Sequence, residues 1–184
     1  MKNGFIAALA AVAVASAFHV SAAQAEELNW INPTIQEAGA IVALPTAGMQ
    51  PDKNTDYKVV FNVTGRGAPE KIEIGLDRVA RSVNLFTSAG VPLSRLHFIV
   101  VVHGPAAPAI LDDAHYKEKF GVENPNTKLI SALEKAGVQV VVCGQALAHN
   151  KFPEAWVNPQ VEITLAALTD LIILQQQGYV LVPL

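Results

Sequence analysis

The sequence predicts an α/β fold: a doubly wound, mostly parallel sheet of four or five strands with helices on both faces. Three observations carry this expectation. Short, nearly continuous apolar runs recur at 59–63, 96–102 and 138–142, as in strands buried on both faces. The segments between them place apolar residues at helical spacing. Strand and helix then alternate from Tyr57 to the end of the chain, which implies right-handed βαβ units and a sheet covered on both sides.

Val59-Val60-Phe61-Asn62-Val63 reads as the first strand, ended by the Gly65-Arg66-Gly67 turn. Ile72, Leu76, Val79, Val83 and Phe86 then recur with helical period, with Arg78 and Arg81 on the opposite side and Gly90 as a stop. Leu96 to Val102 is the second strand, followed by Gly104-Pro105 and a helix-like segment from about Ala106 to Phe120. Asn124-Pro125 offers an N-cap and a first-position proline for a helix lined by Leu129, Leu133 and Ala136 and ended by Gly137. Val138 to Val142 is a further buried strand, feeding Cys143-Gly144-Gln145 and a short helix. A loop spans Pro153 to Pro159. An extended piece at Val161-Glu162-Ile163, a helix through about Gln177 and a last strand at Tyr179 to Leu184 complete the chain. Leu171-Ile172-Ile173-Leu174 is apolar around more than one face, which a helix buried on one side does not require. Homo-oligomerisation is the expected reason.

The amino terminus has the layout of a secretory signal peptide: Met1-Lys2-Asn3, an apolar run from Phe5 to Ala17, and Ala23-Gln24-Ala25 as a small-x-small cleavage site before Glu26-Glu27. The run is shorter than the ~20 residues that span a bilayer. Cleavage after Ala25 and a periplasmic or secreted location are expected, with no membrane span afterwards. The domain division is then 1–25 signal peptide, 26–56 an arm packed on the domain, and 57–184 the α/β domain. The arm is rich in turn formers but carries Ala40-Ile41-Val42-Ala43-Leu44, too apolar for a disordered linker. With Lys2, the only charge of the signal, removed from the 13 basic residues, 12 basic and 16 acidic remain, a net −4. That balance argues against nucleic acid and anionic membranes as partners.

One cysteine, Cys143, cannot close an intramolecular disulfide or build a multi-cysteine zinc site. Its thiol must be buried, paired with another chain, or reactive. Ligands of open parallel sheets bind beyond the carboxyl ends of the strands, where Asn62-Val63-Thr64, His103-Gly104 and Cys143-Gly144-Gln145 fall. A thiol ahead of a helix meets backbone N–H groups and the positive end of the helix dipole, which favour thiolate. Gly144 permits close approach. Cys143 can equally be the last core residue of its strand. His103 ends the neighbouring run and is either a base for the thiol, if the strands are adjacent, or a ring hydrogen-bonded to a loop carbonyl. Asn84 is either an interior polar residue or a contributor to the site. His115, His149 and the Gly65-Arg66-Gly67 turn are weaker signals. No metal ligand set and no cofactor motif is present in the sequence.

Lys58-Val59-Val60-Phe61-Asn62-Val63-Thr64, Asn84, Val100-Val101-Val102-His103-Gly104-Pro105, Val140-Val141-Val142-Cys143-Gly144-Gln145 and Leu174-Gln175-Gln176-Gln177-Gly178-Tyr179 occur in this order. Together they resemble the DsrE/DsrF-like family. The Leu44-Pro45 arm leading into Gln50-Pro51-Asp52 is similar to exported members. The resemblance implies a doubly wound α/β domain, assembly as a trimer or hexamer, and a role near sulfur metabolism. In the sulfur-relay members, DsrE and TusD among them, a cysteine at a strand end accepts sulfur as a persulfide and passes it on, and Cys143 matches that position. Those members work in the cytoplasm, whereas this chain carries an export signal, so its donors and acceptors, proteins or small sulfur compounds, must differ. The expected activity is a persulfide carrier with Cys143 as nucleophile and His103 as proton partner. Asn62, Asn84, Gly104, Gly144 and Gln145 are the expected ligand-binding residues, and no cofactor is needed. The rival expectation is a non-catalytic oligomer that binds a small ligand or a protein in the same cleft.

Overall fold

Five strands, β1 (Tyr57–Val63), β2 (Leu96–Val102), β3 (Gln139–Cys143), β4 (Glu162–Thr164) and β5 (Val180–Pro183), form one sheet in a computed structural model that describes residues 28–65 and 67–184. The predicted signal peptide and Arg66 lie outside the described residues. The order is β4-β3-β2-β1-β5 and every pairing is parallel, the expected α/β architecture. Registers run Val63 against Val102, Val102 against Val142, and Cys143 against Thr164.

The strands are linked by α1 (Ile74–Ser88), α2 (Asp113–Phe120), α3 (Thr127–Lys135), α4 (Gly144–Asn150) and α5 (Ala167–Gln176). The two sheet faces bury different cores. Phe61, Val63, Val100, Val102, Val140 and Val142 share one cluster with Leu76, Val79 and Val83 of α1 and Leu129 and Leu133 of α3. Val60, Val101, Val141 and Cys143 share the other with Ala146 and Ala167, flanked by Leu171 and Leu174 of α5. Handedness explains the asymmetry. The connections from β1 to β4 all step the same way across the sheet, so right-handed crossovers keep them on the α1 side. The step from β4 back to β5 runs the other way and puts α5 on the opposite face. Only Ala167 of α5 is buried, while Leu168, Ile172 and Ile173 are exposed.

The segment expected as one helix from Ala106 to Phe120 is two. A 3₁₀ stretch, Gly104–Ile110, contains Pro108, and Leu111 is extended. Asp112 then caps α2, its Oδ1 accepting from the N–H of His115 at 2.8 Å. Proline cannot donate an intrahelical bond and its ring opposes continuation, so the run breaks there. The N-cap of α3 is Asn126, without a side-chain capping bond, rather than the expected Asn124, whose buried amide is used across loops. Nδ2 donates to the carbonyls of Ala109 (2.9 Å) and Leu111 (2.6 Å), and Oδ1 accepts from the N–H of Asn126 (2.9 Å). Asn126 Oδ1 in turn accepts from the Glu73 N–H at 2.7 Å. These bonds tie the loop after β2 to the starts of α1 and α3, which holds the carboxyl end of the sheet in register.

The arm crosses the C-terminal half of α1. Ile35, Ala38 and Ile41 are buried, and Ile31 and Ile41 close an antiparallel bridge. Asn84, fully buried on α1, is its anchor. Oδ1 accepts from the N–H groups of Thr34 (3.0 Å) and Ile35 (2.8 Å), and Nδ2 donates to the carbonyls of Ile35, Ala38 and Gly39 at 3.0–3.2 Å.

Candidate functional site at the carboxyl end of β2 and β3

The two-residue period of a strand puts alternate side chains on one face. Val60, Val101, Val141 and Cys143 face the α5 side, so Asn62 and His103 fall on that side too. His103 continues β2 in extended conformation (φ −155°, ψ −179°), and its N–H donates to the Val63 carbonyl at 3.1 Å. It therefore stands one step beyond the Val102–Val142 pair, at the level of Cys143 on the adjacent strand. The condition on which the role of His103 depended, adjacency of the two strands, is met. Gly104 then takes φ +54° with open space around its α-carbon, and the chain turns away at once.

The imidazole is held by a side chain rather than by a loop carbonyl. His103 Nε2 lies 2.6 Å from Asn62 Oδ1. With the amide oxygen as acceptor, Nε2 carries the proton and Nδ1 is left as the basic nitrogen. Burial lowers the pKa of His103 below its ordinary value, while the carboxylate of Asp170 on α5 acts in the opposite direction. A histidine whose folded pKa is depressed binds its proton more weakly folded than unfolded. Stability therefore falls as pH drops below the unfolded value of ~6.5 towards the folded one, and levels off beneath it. His103→Gln is expected to remove this contribution, read as a flatter dependence of the urea midpoint on pH just below 6.5.

Cys143 is 6 % exposed and sits at the N-cap of α4, where its side chain makes no capping bond. Around it pack Val60, Val101, Ala107, Ala146 and Ala167. Thr164 is its partner across the β3–β4 pairing. The Thr164 hydroxyl donates to Asp170 Oδ2 at 2.5 Å, with the Val142 carbonyl a longer alternative at 3.2 Å. The place has topological meaning. The chain leaves β3 towards the α1 side, since Phe152, Val157 and Val161 belong to that core, and leaves β4 towards α5. Neighbouring strands that send their connections to opposite faces mark a topological switch point, the place where open α/β sheets bind ligands. Cys143 and Thr164 end the two strands there. Gly144 lets them approach closely: a Cβ there would lie 2.8 Å from the Thr164 carbonyl oxygen.

Asn62, His103, Gly104, Cys143 and Gly144 are thus gathered at one edge. Gln145 is exposed, with only a long 3.4 Å contact from Nε2 to the Leu165 carbonyl. Asn84 does not join them; its amide is spent on the arm. The start of α1, which follows the turn at Gly65, is filled internally. The buried Glu73 carboxylate accepts from the N–H groups of Gly75 (2.6 Å) and Leu76 (3.0 Å). His115 is bound rather than free, 2.8 Å from Asp112 Oδ2 and stacked on Trp156 at 4.6 Å. Among the described residues no three His, Cys, Asp or Glu side chains converge as metal ligands. Thr164 and Asp170 belong to the site and carry no motif. The available signal was an acidic residue in the first turn of a helix that follows a strand end.

A comparison with curated proteins gives no match. A solved structure of a protein of unknown function from Methanobacterium thermoautotrophicum shares the fold, with a TM-score of 0.52 and 17 % identity, covering 70 % of this chain and 100 % of its own. The DsrE/DsrF-like family model matches residues 57–183, from the first residue of β1 to the last of β5. The chain therefore belongs to the DsrE/DsrF-like family.

Proposed function

We propose that this protein is an exported sulfur carrier that holds sulfane sulfur on Cys143 as a persulfide. The observation that carries the reading is the register: His103, with Nδ1 as its basic nitrogen, ends the strand beside that of Cys143 on the same face. Membership in a family associated with sulfur relay supports it. The Cys143 thiol gives its proton to His103, and the thiolate attacks the outer sulfur of a donor R–S–SH. The donor's S–S bond breaks, a new one forms on Cys143, and R–S⁻ leaves as R–SH with the proton from the imidazolium. Transfer to an acceptor thiol is the same exchange in reverse. Gly144 and Gln145 offer backbone N–H groups to the terminal sulfur.

The exposed Leu165, Leu168, Ile172 and Ile173 on and beside α5 support homo-oligomerisation, since exposed apolar side chains grouped on one helix are costly in water; the family resemblance suggests a trimer or hexamer. The signal-peptide layout of the first 25 residues supports a donor and an acceptor in the periplasm or outside the cell. One observation favours the rival reading, a non-catalytic binding module: Cys143 is 6 % exposed, as a core residue would be. Incubation with thiosulfate or polysulfide followed by intact-mass measurement separates the two. A carrier gains one sulfur atom on the native protein and none in Cys143→Ser. A thiol that alkylates only after unfolding, at every pH, identifies the module.

A further inference from the structure

We infer that Asp170, held by Thr164, is the positioning residue that makes His103 able to store the thiol proton beside Cys143. The inference deepens the carrier reading and rests on it. Three elements converge on the edge: β2 brings His103, β3 brings Cys143, and the β4–α5 turn brings Thr164 and Asp170. Thr164 lies opposite Cys143 in register, and its hydroxyl holds Asp170 Oδ2 at 2.5 Å. That bond fixes a carboxylate from the first turn of α5, the helix that covers this face of the sheet.

The groups facing His103 make the need for it plain. Asn62 on β1 is neutral and binds Nε2. Cys143 on β3 is the proton donor. Val101, two residues back on the same face of β2, is apolar. Burial alone would keep the ring neutral, and the charge that opposes it is Asp170. When Cys–SH passes its proton to Nδ1, the imidazolium formed in this half-buried site is paired by a carboxylate that is already oriented. Expulsion of R–SH returns the proton.

The test uses the full mature chain. The His103 ring is titrated by NMR, and Cys143 alkylation by iodoacetamide is followed against pH, in wild type, Asp170→Asn, Asp170→Glu and Thr164→Val. Asp170→Asn is expected to lower the His103 midpoint and to slow alkylation near neutral pH several-fold, up to about tenfold for a full unit of midpoint shift. Asp170→Glu keeps the charge and restores most of both, which a role confined to folding the turn would not do. Thr164→Val gives a smaller shift of the same sign. An unchanged His103 midpoint in Asp170→Asn overturns the inference. Because the midpoint is read without any sulfur chemistry, a shifted midpoint with no sulfur adduct on wild type sinks the carrier reading and leaves the charge pairing standing.

Discussion

Replacing Asn84 by alanine is expected to cost about 3 kcal/mol or more in stability, since each buried polar group left without a partner costs about 1–3 kcal/mol. Five hydrogen bonds to the arm end on this one amide, and four of them are buried. The arm's other constraint is steric. Gly39 has φ +71° and packs so closely that a Cβ would fall 2.2 Å from the Arg81 backbone nitrogen. Gly39→Ala must therefore lift the arm from α1, with a loss comparable to that at Asn84. Both substitutions act by releasing the same segment, so their costs are expected not to add. The double variant should be little less stable than the worse single one. Urea denaturation gives the free energies, and limited proteolysis reports cleavage between residues 28 and 56. Full additivity, or an arm equally protected in Asn84→Ala, would show that Asn84 does not hold it.

The second large effect lies where Gly144 meets the end of β4. Gly144→Val is expected to cost about 1–3 kcal/mol, the range for overpacking a close contact. It should also speed Cys143 alkylation in the native state. The added Cβ meets the Thr164 carbonyl oxygen at 2.8 Å, a backbone atom that yields only if β3 and β4 separate, and that separation uncovers the thiol. Gly104→Ala is the control. Its φ of +54° strains an L-residue by about 1–2 kcal/mol, but nothing lies within contact of the new methyl group, so alkylation should stay as in wild type. Equal alkylation rates in the two variants would argue that the Gly144 contact does not gate the thiol.

Much of the fold was legible in the chain because its signals are local. Val138-Gln139-Val140-Val141-Val142 is a buried strand by composition, and the Leu129–Leu133 spacing is a helix by period. The helix expected across Ala106–Phe120 shows the limit of periodicity, since Pro108 and the cap at Asp112 divide it. Cys143 and His103 were identifiable as strand-end residues without knowing how their strands lie. Asn84 was identifiable only as an interior polar residue on an apolar stripe, with its use undecided.

By itself, the sequence determined the alternation of strand and helix, the single cysteine and the chemistry it rules out, and the polar residues that end β1, β2 and β3. Each follows from residues adjacent along the chain or one helical turn apart. The tertiary structure alone decided that β2 and β3 are neighbours in register, that Asn84 serves the arm, and that Thr164, bonded to Asp170, lies opposite Cys143. Those outcomes depend on strand order and crossover direction, which join segments far apart in sequence and leave no mark in local periodicity.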